Sequence, residues 1–479
     1  MLKVLFIASE AYPFAKTGGL ADVVGALPKS FGKDVDVRVM IPNYGSIPNL
    51  LEKNIHYHHH FYVQMDGKDY YCGILTGEHE GVKYYFIDNE YFFRRPELYG
   101  YYDDGERFTF FSRAALESLS SLGFEPDILH CHDWETAAVP YLLKHQYRTA
   151  FPKLKTVFTI HNMKYQGIYG FDDINQFLHL GFLPNDMEFY GKLNLMKGAL
   201  YASDLVTTVS PTYAHELKDP YYGEGLDGVI RSIGAKEIGI LNGIDGSVYN
   251  SATDSALFVP FSEPNGNKAA NKKDLQEYLN LPVRPDVPMI AMVNRLIEQK
   301  GLDLVANVIH EILQLDIQFV VLGTGDANYE NLLNSVAYNY PDKMVTRIEF
   351  DDPLSRRIYA ASDLFLMPSK FEPCGLSQMI AMRYGSVPIV RETGGLKDTV
   401  SQFDPNTGIG NGFTFLNYNA HDMLFTIQNA VNIYHNDRGL FEKITDNAFN
   451  SRFNWENSAQ VYLTHYRNLK EAEYHELYT

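Results

Sequence analysis

Apolar residues fall along this chain in short, uninterrupted runs, each stopping at a polar or glycine-containing loop that leads into a helical pattern. In the first half the runs are Val4–Ala8, Asp127–Cys131, Thr156–Ile160, Leu205–Val209 and Ile238–Leu241. In the second half they are Met289–Val293, Ile317–Leu322, Val345–Phe350, Leu364–Met367 and Ser386–Val390. Runs without alternation predict strands buried on both faces, and helices between them predict doubly wound α/β domains with parallel sheets. Residues 55–88 differ: apolar and polar positions alternate there, with turns at Asp66-Gly67 and Glu80-Gly81, which predicts antiparallel strands inserted in the first domain. Phe453-Asn-Trp455 precedes a last helical stretch, Glu456 to about Glu473. The predicted organisation is an N-terminal Rossmann-like domain over 1–245, a C-terminal one over 246–455, and a helix over 456–479 packing back on the first domain. A Pro-, Asn- and Lys-rich stretch around Glu263–Asn267 marks the interdomain region.

Length and composition agree with this division. A chain of 479 residues exceeds the size at which single cores stop growing, and 45% hydrophobic residues can fill two of them. A net charge of −18 disfavours nucleic acid and acidic membranes as partners, so a polyanionic ligand needs a local basic pocket. Three cysteines are too few and too oddly numbered for a disulfide framework. The N-terminal apolar run meets Ser9-Glu10 too soon for a signal peptide, and no stretch approaches a membrane span. The expectation is a cytoplasmic protein with no membrane partner.

Candidate chemistry collects at the carboxyl ends of the predicted strands, where open α/β sheets bind ligands. In the second half, Pro368-Ser-Lys-Phe-Glu372-Pro-Cys374-Gly375-Leu376 and Arg391-Glu-Thr393-Gly394-Gly395-Leu396 each follow a strand and open a helix. Amides at such starts lack intrahelical acceptors and can bind phosphate. Glu372 would repel phosphate but can hydrogen-bond a hydroxylated group beside it, so the pair of loops suggests a phosphate–sugar ligand. Arg295 and Lys300, after the Met289–Val293 run, can neutralise a diphosphate. In the first half, Lys16-Thr-Gly18-Gly19-Leu20 leads into a helix but has neither dinucleotide nor Walker spacing. Asp133, His161 and Asn162 share a carboxyl edge with Lys16 and form a polar wall. Tyr91–Tyr102 is rich in rings with polar tips, which suit the mixed faces of sugars. The histidines at 56–60 and 130–132 lack the separated ligand pairs of zinc sites, and neighbours on a strand face opposite sides. No metal is expected.

These motifs, in this order and over the whole length, resemble bacterial glycogen synthases and plastid-type starch synthases. The resemblance rests on Lys16–Leu20 with Ala21–Val24, His132-Asp-Trp134, His161-Asn162, Ser210–Tyr213, Gly225–Gly228, Asn242–Asp245, Arg295-Leu296, Gln299–Leu302, Phe371–Leu376 and Thr393–Leu396. It implies a GT-B fold, two doubly wound Rossmann-like domains facing a deep cleft, and a retaining glucosyltransferase. The implied substrates are ADP-glucose, as donor, and the non-reducing 4-hydroxyl of an α-1,4-glucan such as glycogen, with no cofactor and no metal. Glu372, His161, Asp133, Lys300 and Arg295 form the implied catalytic set. Lys16, Gly18, Gly19, Phe350, Cys374, Gly375, Leu376, Thr393, Gly394 and Gly395 would bind the donor, with Phe350 against the base; Asn162 and Asp133 would meet the acceptor. Three positions depart from the family pattern: Lys370 stands where Arg is common, Glu135 where a second His follows His-Asp-Trp, and Phe350 where Tyr is usual. Alternatives within reach of the same residues are another GT-B glucosyltransferase or phosphorylase, and a catalytically silent α-glucan-binding protein.

Overall fold

The protein is described by a computed structural model over residues 1–47, 54–264 and 266–476. Asn265 of the predicted interdomain stretch and residues 477–479 of the predicted C-terminal segment lie outside the described residues. The chain divides into two compact units, Met1–Gly243 with Trp455–Thr479, and Ile244–Asn454. Each is a Rossmann-like α/β domain built on its own sheet.

Unit 1 contains β1 (Leu2–Ile7), β2 (Val35–Pro42), β3 (His56–Met65), β4 (Lys68–His79), β5 (Val82–Asp88), β6 (Ile128–His132) and β7 (Lys155–Ile160). Then come β8 (Ile168–Tyr169), β9 (Glu188–Phe189) and β10 (Lys192–Asn194), which form a small sheet of their own, and β11 (Leu205–Thr208) and β12 (Glu237–Gly239). The main sheet has nine strands in the order β12-β11-β7-β6-β1-β2-β5-β4-β3. The strands from β12 to β5 run parallel, and β6 is buried at every residue, as helices on both faces require.

The alternating region forms antiparallel strands within the first unit, as predicted, and it joins that unit's main sheet. β5 pairs in parallel with β2, and β4 and β3 follow antiparallel, so these strands extend one edge of the main sheet. Its two turns lie where the dipeptides predict: Asp66, Gly67, Glu80 and Gly81 all have positive φ, which suits tight hairpins. The strand that connects this edge to the rest, β2, escapes the apolar-run pattern because Asp36 and Arg38 interrupt it; the two pair with each other on the strand.

Unit 2 contains β13 (Met289–Val293), β14 (Gln318–Leu322), β15 (Met344–Arg347), β16 (Leu364–Met367), β17 (Val387–Arg391) and β18 (Phe413–Phe415). All are parallel, in the order β15-β14-β13-β16-β17-β18. β15 is shorter than the predicted Val345–Phe350 run. It is an edge strand, and its ladder ends where β14 ends, at Leu322 opposite Arg347.

The helix Trp455–Glu476 belongs to unit 1. It buries Trp455, Tyr462 and Tyr466, and the Tyr466 ring packs near Phe31, 5.7 Å between centroids. The Tyr466 hydroxyl lies 2.6 Å from His130 Nδ1, Ser458 donates to Leu241 O, and Lys470 pairs with Asp127 at 2.9 Å. His130 Nε2 is 2.6 Å from Thr159 Oγ1, and Thr159 is bonded in turn to Thr207, so a buried polar row crosses β6, β7 and β11. No helix among the described residues is long and apolar enough to cross a membrane.

Removing the Tyr466 hydroxyl strands a buried imidazole nitrogen, which costs about 1–3 kcal/mol, whereas removing the ring leaves a cavity costing about 3–5 kcal/mol. Tyr466→Phe is therefore expected to lower the urea midpoint modestly and Tyr466→Ala severely. Equal midpoints in all three proteins would mean that this helix adds nothing to the first unit.

Candidate functional site

In unit 2 the strand order reverses between β13 and β16, and the loops leaving these two strands carry the charged residues. Lys300 Nζ lies 2.6 Å from Glu372 Oε2, with both side chains largely buried. Ser369, also on the loop after β16, donates to the same oxygen at 3.0 Å. Arg295 is exposed, and among the described residues its guanidinium has no hydrogen bond or ion pair. The unit thus presents one carboxylate held by a lysine and a serine, and one uncommitted positive charge.

The Gly-Gly loop after β17 serves a purpose that the sequence does not announce. A Cβ on Gly394 would lie 1.8 Å from the Glu372 carbonyl oxygen, and one on Gly395 would lie 2.0 Å from that of Cys374. The Gly395 amide is not open for phosphate, contrary to expectation: it donates to Glu372 O at 3.1 Å and Pro373 O at 3.2 Å. Glycine is needed here so that two backbones can touch. Thr393 precedes the helix Gly394–Thr399, and Gly375 and Leu376 precede the helix Ser377–Arg383, with Gly375 at φ +73°. Cys374 is buried beneath them, and its carbonyl accepts from Gln378 Nε2 at 3.1 Å. Phe350 stands beyond β15 with 78% of its surface exposed.

Lys370 keeps the loop after β16 in place by another route than a guanidinium. Its amide donates to Gln299 O at 2.9 Å, its ammonium pairs with Glu298 at 2.9 Å, and its carbonyl accepts from Arg391 Nη1 at 2.6 Å. The turn that carries Lys300 and the loop that carries Glu372 are therefore fastened together twice. Ser369 and Arg391 lie in the two stretches singled out in the sequence without being assigned a role there, and Glu298 is brought to the site by the fold.

In unit 1 the reversal falls between β1 and β6. Lys16 pairs with Asp22 at 2.8 Å, in the first turn of the helix Gly19–Ala26; Gly18 and Gly19 are exposed at its start. The loop is anchored by Glu10, just past β1, whose carboxylate accepts from the Thr17 amide and hydroxyl. Asp133 follows β6 at φ +59°, and its Oδ1 accepts from the His161 amide at 2.7 Å and the Asn162 amide at 3.4 Å. His161 and Asn162 follow β7, so Asp133, His161 and Asn162 do share the edge that the sequence predicts. His132 Nδ1 lies 2.9 Å from His161 Nε2.

Burial decides the charges here. It pushes the His161 imidazole down to about 3 and holds His130 and His132 well below the ordinary value, so all three are neutral at pH 7. Burial also raises the Asp133 carboxyl, against the two amides that favour its ionised form. Glu135, which replaces the second histidine of the family pattern, is raised further by burial and by the nearby Asp133, and its Oε2 has no hydrogen-bond partner. Among the described residues there is no group of His, Cys, Asp and Glu able to hold a metal ion.

Known proteins match this chain from end to end. The family model described as the starch synthase catalytic domain matches residues 3–232, and that described as glycosyl transferases group 1 matches residues 280–450. The glycogen synthase of Clostridium acetobutylicum is 51% identical over 98% of this chain and 100% of its own length. That of Bacillus cereus is 50% identical with the same coverage. Among solved structures, the catalytic domain of starch synthase IV from Arabidopsis thaliana, bound to ADP and acarbose, superposes with a TM-score of 0.92 at 36% identity, covering 98% of this chain and 99% of that one. The sucrose-phosphate synthase of Thermosynechococcus elongatus, at 17% identity and a TM-score of 0.64 over 98% and 100% of the two chains, shares the fold.

A carboxyl whose pKa is raised by folding supplies stability below its unfolded value and loses it as pH rises through the folded one, at about 1.4 kcal/mol per pH unit. Glu135→Gln removes that loss. The variant is expected to gain stability relative to the parent on going from pH 5 to pH 8, measured by urea unfolding at both. A difference that is the same at the two pH values would mean that Glu135 titrates as an ordinary carboxyl.

Proposed function

This chain belongs to the glycogen and starch synthase family of GT-B glycosyltransferases, and from that premise we propose the reaction in full: glucose passes from ADP-glucose to the non-reducing 4-hydroxyl of an α-1,4-glucan, with the anomeric configuration retained. The observation that carries the site assignment is the Lys300–Glu372 pair at the carboxyl ends of β13 and β16, with Arg295 exposed beside it in sequence. A diphosphate leaving group needs fixed positive charge, and the transferred sugar needs an acceptor for its hydroxyls; the pair supplies one of each.

Breaking the bond between the anomeric carbon and phosphate builds positive charge on the ring and negative charge on the departing diphosphate. Lys300 and Arg295 stabilise the latter, with Lys16 and the Gly18–Gly19 amides of unit 1 assisting, so preorganised electrostatics is the main catalytic term. Lys300 turns from Glu372 toward phosphate, or is shared between them, when the donor binds. Glu372, held by Ser369, accepts from glucose hydroxyls and orients the ring. It is assigned to sugar orientation and not to nucleophilic attack. A retaining glycosidase would need a second carboxylate opposite the first. Here the departing phosphate takes the acceptor's proton on the same face of the ring as it leaves.

His161 is neutral and meets a sugar hydroxyl through the ring nitrogen not bonded to His132. Asp133 sets the direction of His161 through its amide, and Asn162 meets the incoming glucan. Phe350, exposed after β15, packs against the base without the hydroxyl of a tyrosine. Gly375, Leu376, Thr393 and Gly394 line the donor side, with Cys374 and Gly395 supporting them from beneath. Three cationic side chains take the charge that a metal would otherwise offset, so the reaction runs without one. The acidic net charge and the absence of a membrane-spanning helix among the described residues suit a cytoplasmic enzyme working on a soluble polymer.

Release of nucleoside diphosphate from ADP-glucose and from UDP-glucose, each with and without glycogen, tests the reading. Glycogen-dependent release from ADP-glucose, unaffected by EDTA, is the expected result; release from neither donor with glycogen binding retained would mark a silent glucan-binding protein. Glu372→Ala is expected to lower turnover by about 10²–10³-fold with an unchanged circular dichroism spectrum. Parental turnover in that variant would remove Glu372 from the site.

A further inference from the structure

Glu10 lies just past the end of β1, next to the reversal point of the first sheet, and is 4% exposed. Buried carboxylates require donors, and Glu10 has three. The Thr17 amide bonds Oε2, and the Thr17 hydroxyl and Tyr99 hydroxyl each lie 3.0 Å from Oε1. The first two belong to the Lys16–Gly19 loop. The third belongs to the aromatic segment Tyr91–Tyr102, which is itself held rigidly: Arg107 donates to the carbonyls of Phe92 and Leu98, Asp104 accepts from the amides of Gly100 and Tyr101, and Arg95 pairs with Asp103. Tyr99 is also 2.8 Å from Ser9 Oγ, and Ser9 O accepts from Tyr44. One carboxylate thus joins a loop that carries a lysine and two exposed glycines to a segment whose outer rings, Tyr91 and Tyr102, stand in solvent.

We propose that Glu10 is a positioning residue for donor binding, holding the Lys16–Gly19 loop in its binding shape and linking it through Tyr99 to the aromatic segment, so that glucan on that segment and donor on that loop strengthen each other's binding. The proposal rests on the reading of Lys16–Gly19 as a phosphate-binding loop. The physical reason is that Gly18 and Gly19 have no side chains of their own to fix the loop. Thr17 is the residue that ties it down, and it does so by two bonds to one group. Without Glu10 the loop samples other shapes, and the donor must select the competent one, which raises its apparent dissociation constant by the inverse of the competent fraction. Reciprocity requires that whatever stiffens the Tyr99 segment favours the donor to the same degree that the donor favours it.

Kinetics on the full chain separate this role from a purely structural one. Glu10→Ala is expected to raise the KM for ADP-glucose by about tenfold while kcat changes by less than about threefold, the size expected for losing charge-assisted hydrogen bonds. Glu10→Gln should restore most of the loss, since its amide oxygen can accept from the Thr17 amide while both hydroxyls turn to accept from its NH2. Tyr99→Phe should leave the dissociation constant for ADP, measured by calorimetry, within about threefold of the parent in the absence of maltoheptaose but abolish its fall when maltoheptaose is added. If Glu10→Ala does not fold, Tyr99→Phe decides alone, because it removes a single hydroxyl. An unchanged donor KM in folded Glu10→Ala, or a parental maltoheptaose effect in Tyr99→Phe, overturns the proposal. Lys16→Ala distinguishes the two levels of failure: if it raises the donor KM while Glu10→Ala does not, the positioning role alone falls, and if neither does, the phosphate-binding reading of the loop falls with it.

Discussion

The second unit's site depends on how closely three loops approach one another. Gly394 and Gly395 let the turn after β17 rest directly on the backbone of residues 372–374, where any side chain would collide with a carbonyl oxygen. That contact, sealed by the Gly395 amide on Glu372 O and Pro373 O, sets the height and direction of Glu372. Lys370 then fastens the same loop to the 298–300 turn through its amide and ammonium, which brings Lys300 to Glu372. Removing either partner of a largely buried ion pair leaves an uncompensated charge, so the pair is stable only while both loops hold their places. A diphosphate bound as proposed would change this balance, because it would offer Lys300 a second anion.

Two of the three family departures, Lys370 and Glu135, have different physical consequences. Lys370 in place of arginine loses the planar fork but keeps a single charge, and Glu298 provides a carboxylate that needs no fork. The loop is pinned either way, so this change lies in support of the site. Glu135 in place of histidine is a larger change, because a neutral buried ring becomes a buried acid without a partner on Oε2. It stands beside Asp133, whose carboxyl is already raised by burial, and the two cannot both ionise cheaply. The first unit accepts this cost in a region where three histidines are also kept uncharged.

The parallel strands were legible because burial on both faces leaves an uninterrupted apolar run, as at β13, where the predicted and observed spans coincide at Met289–Val293. β2 was not, since one of its faces is half exposed at Asp36 and Arg38 and reads as polar sequence. Loops were legible where a motif sits at one strand's end: Glu372 and Lys300 were both singled out, and they touch. Their pairing was not legible, because it depends on β16 lying beside β13 rather than beside its neighbour in sequence. The same reason hid Glu10 and Tyr99, which are 89 residues apart in the chain and share a hydrogen bond. At Gly395 the Gly-Gly motif was misread: glycine before a helix suggests an open amide, whereas a backbone pressed against another backbone asks for the same residue.

The proposed glucosyl transfer asks for different electrostatics at its charged and its neutral groups. Unit 2 exposes Arg295 and holds Lys300 near one carboxylate, a setting that favours an anion. Unit 1 offers Asp133, His161 and Asn162 with the histidine neutral at pH 7, a setting that favours hydroxyl groups, which need partners that both donate and accept. A protonated His161 could only donate, and its charge would oppose the positive charge that develops on the sugar ring. Desolvation of the imidazole therefore acts in the same direction as the chemistry: it removes a repulsive charge and leaves a nitrogen able to hydrogen-bond. On the proposed assignments the cations Lys300, Arg295 and Lys16 would meet the charge of the leaving group, while the neutral His161 would meet a sugar hydroxyl without adding charge beside the ring.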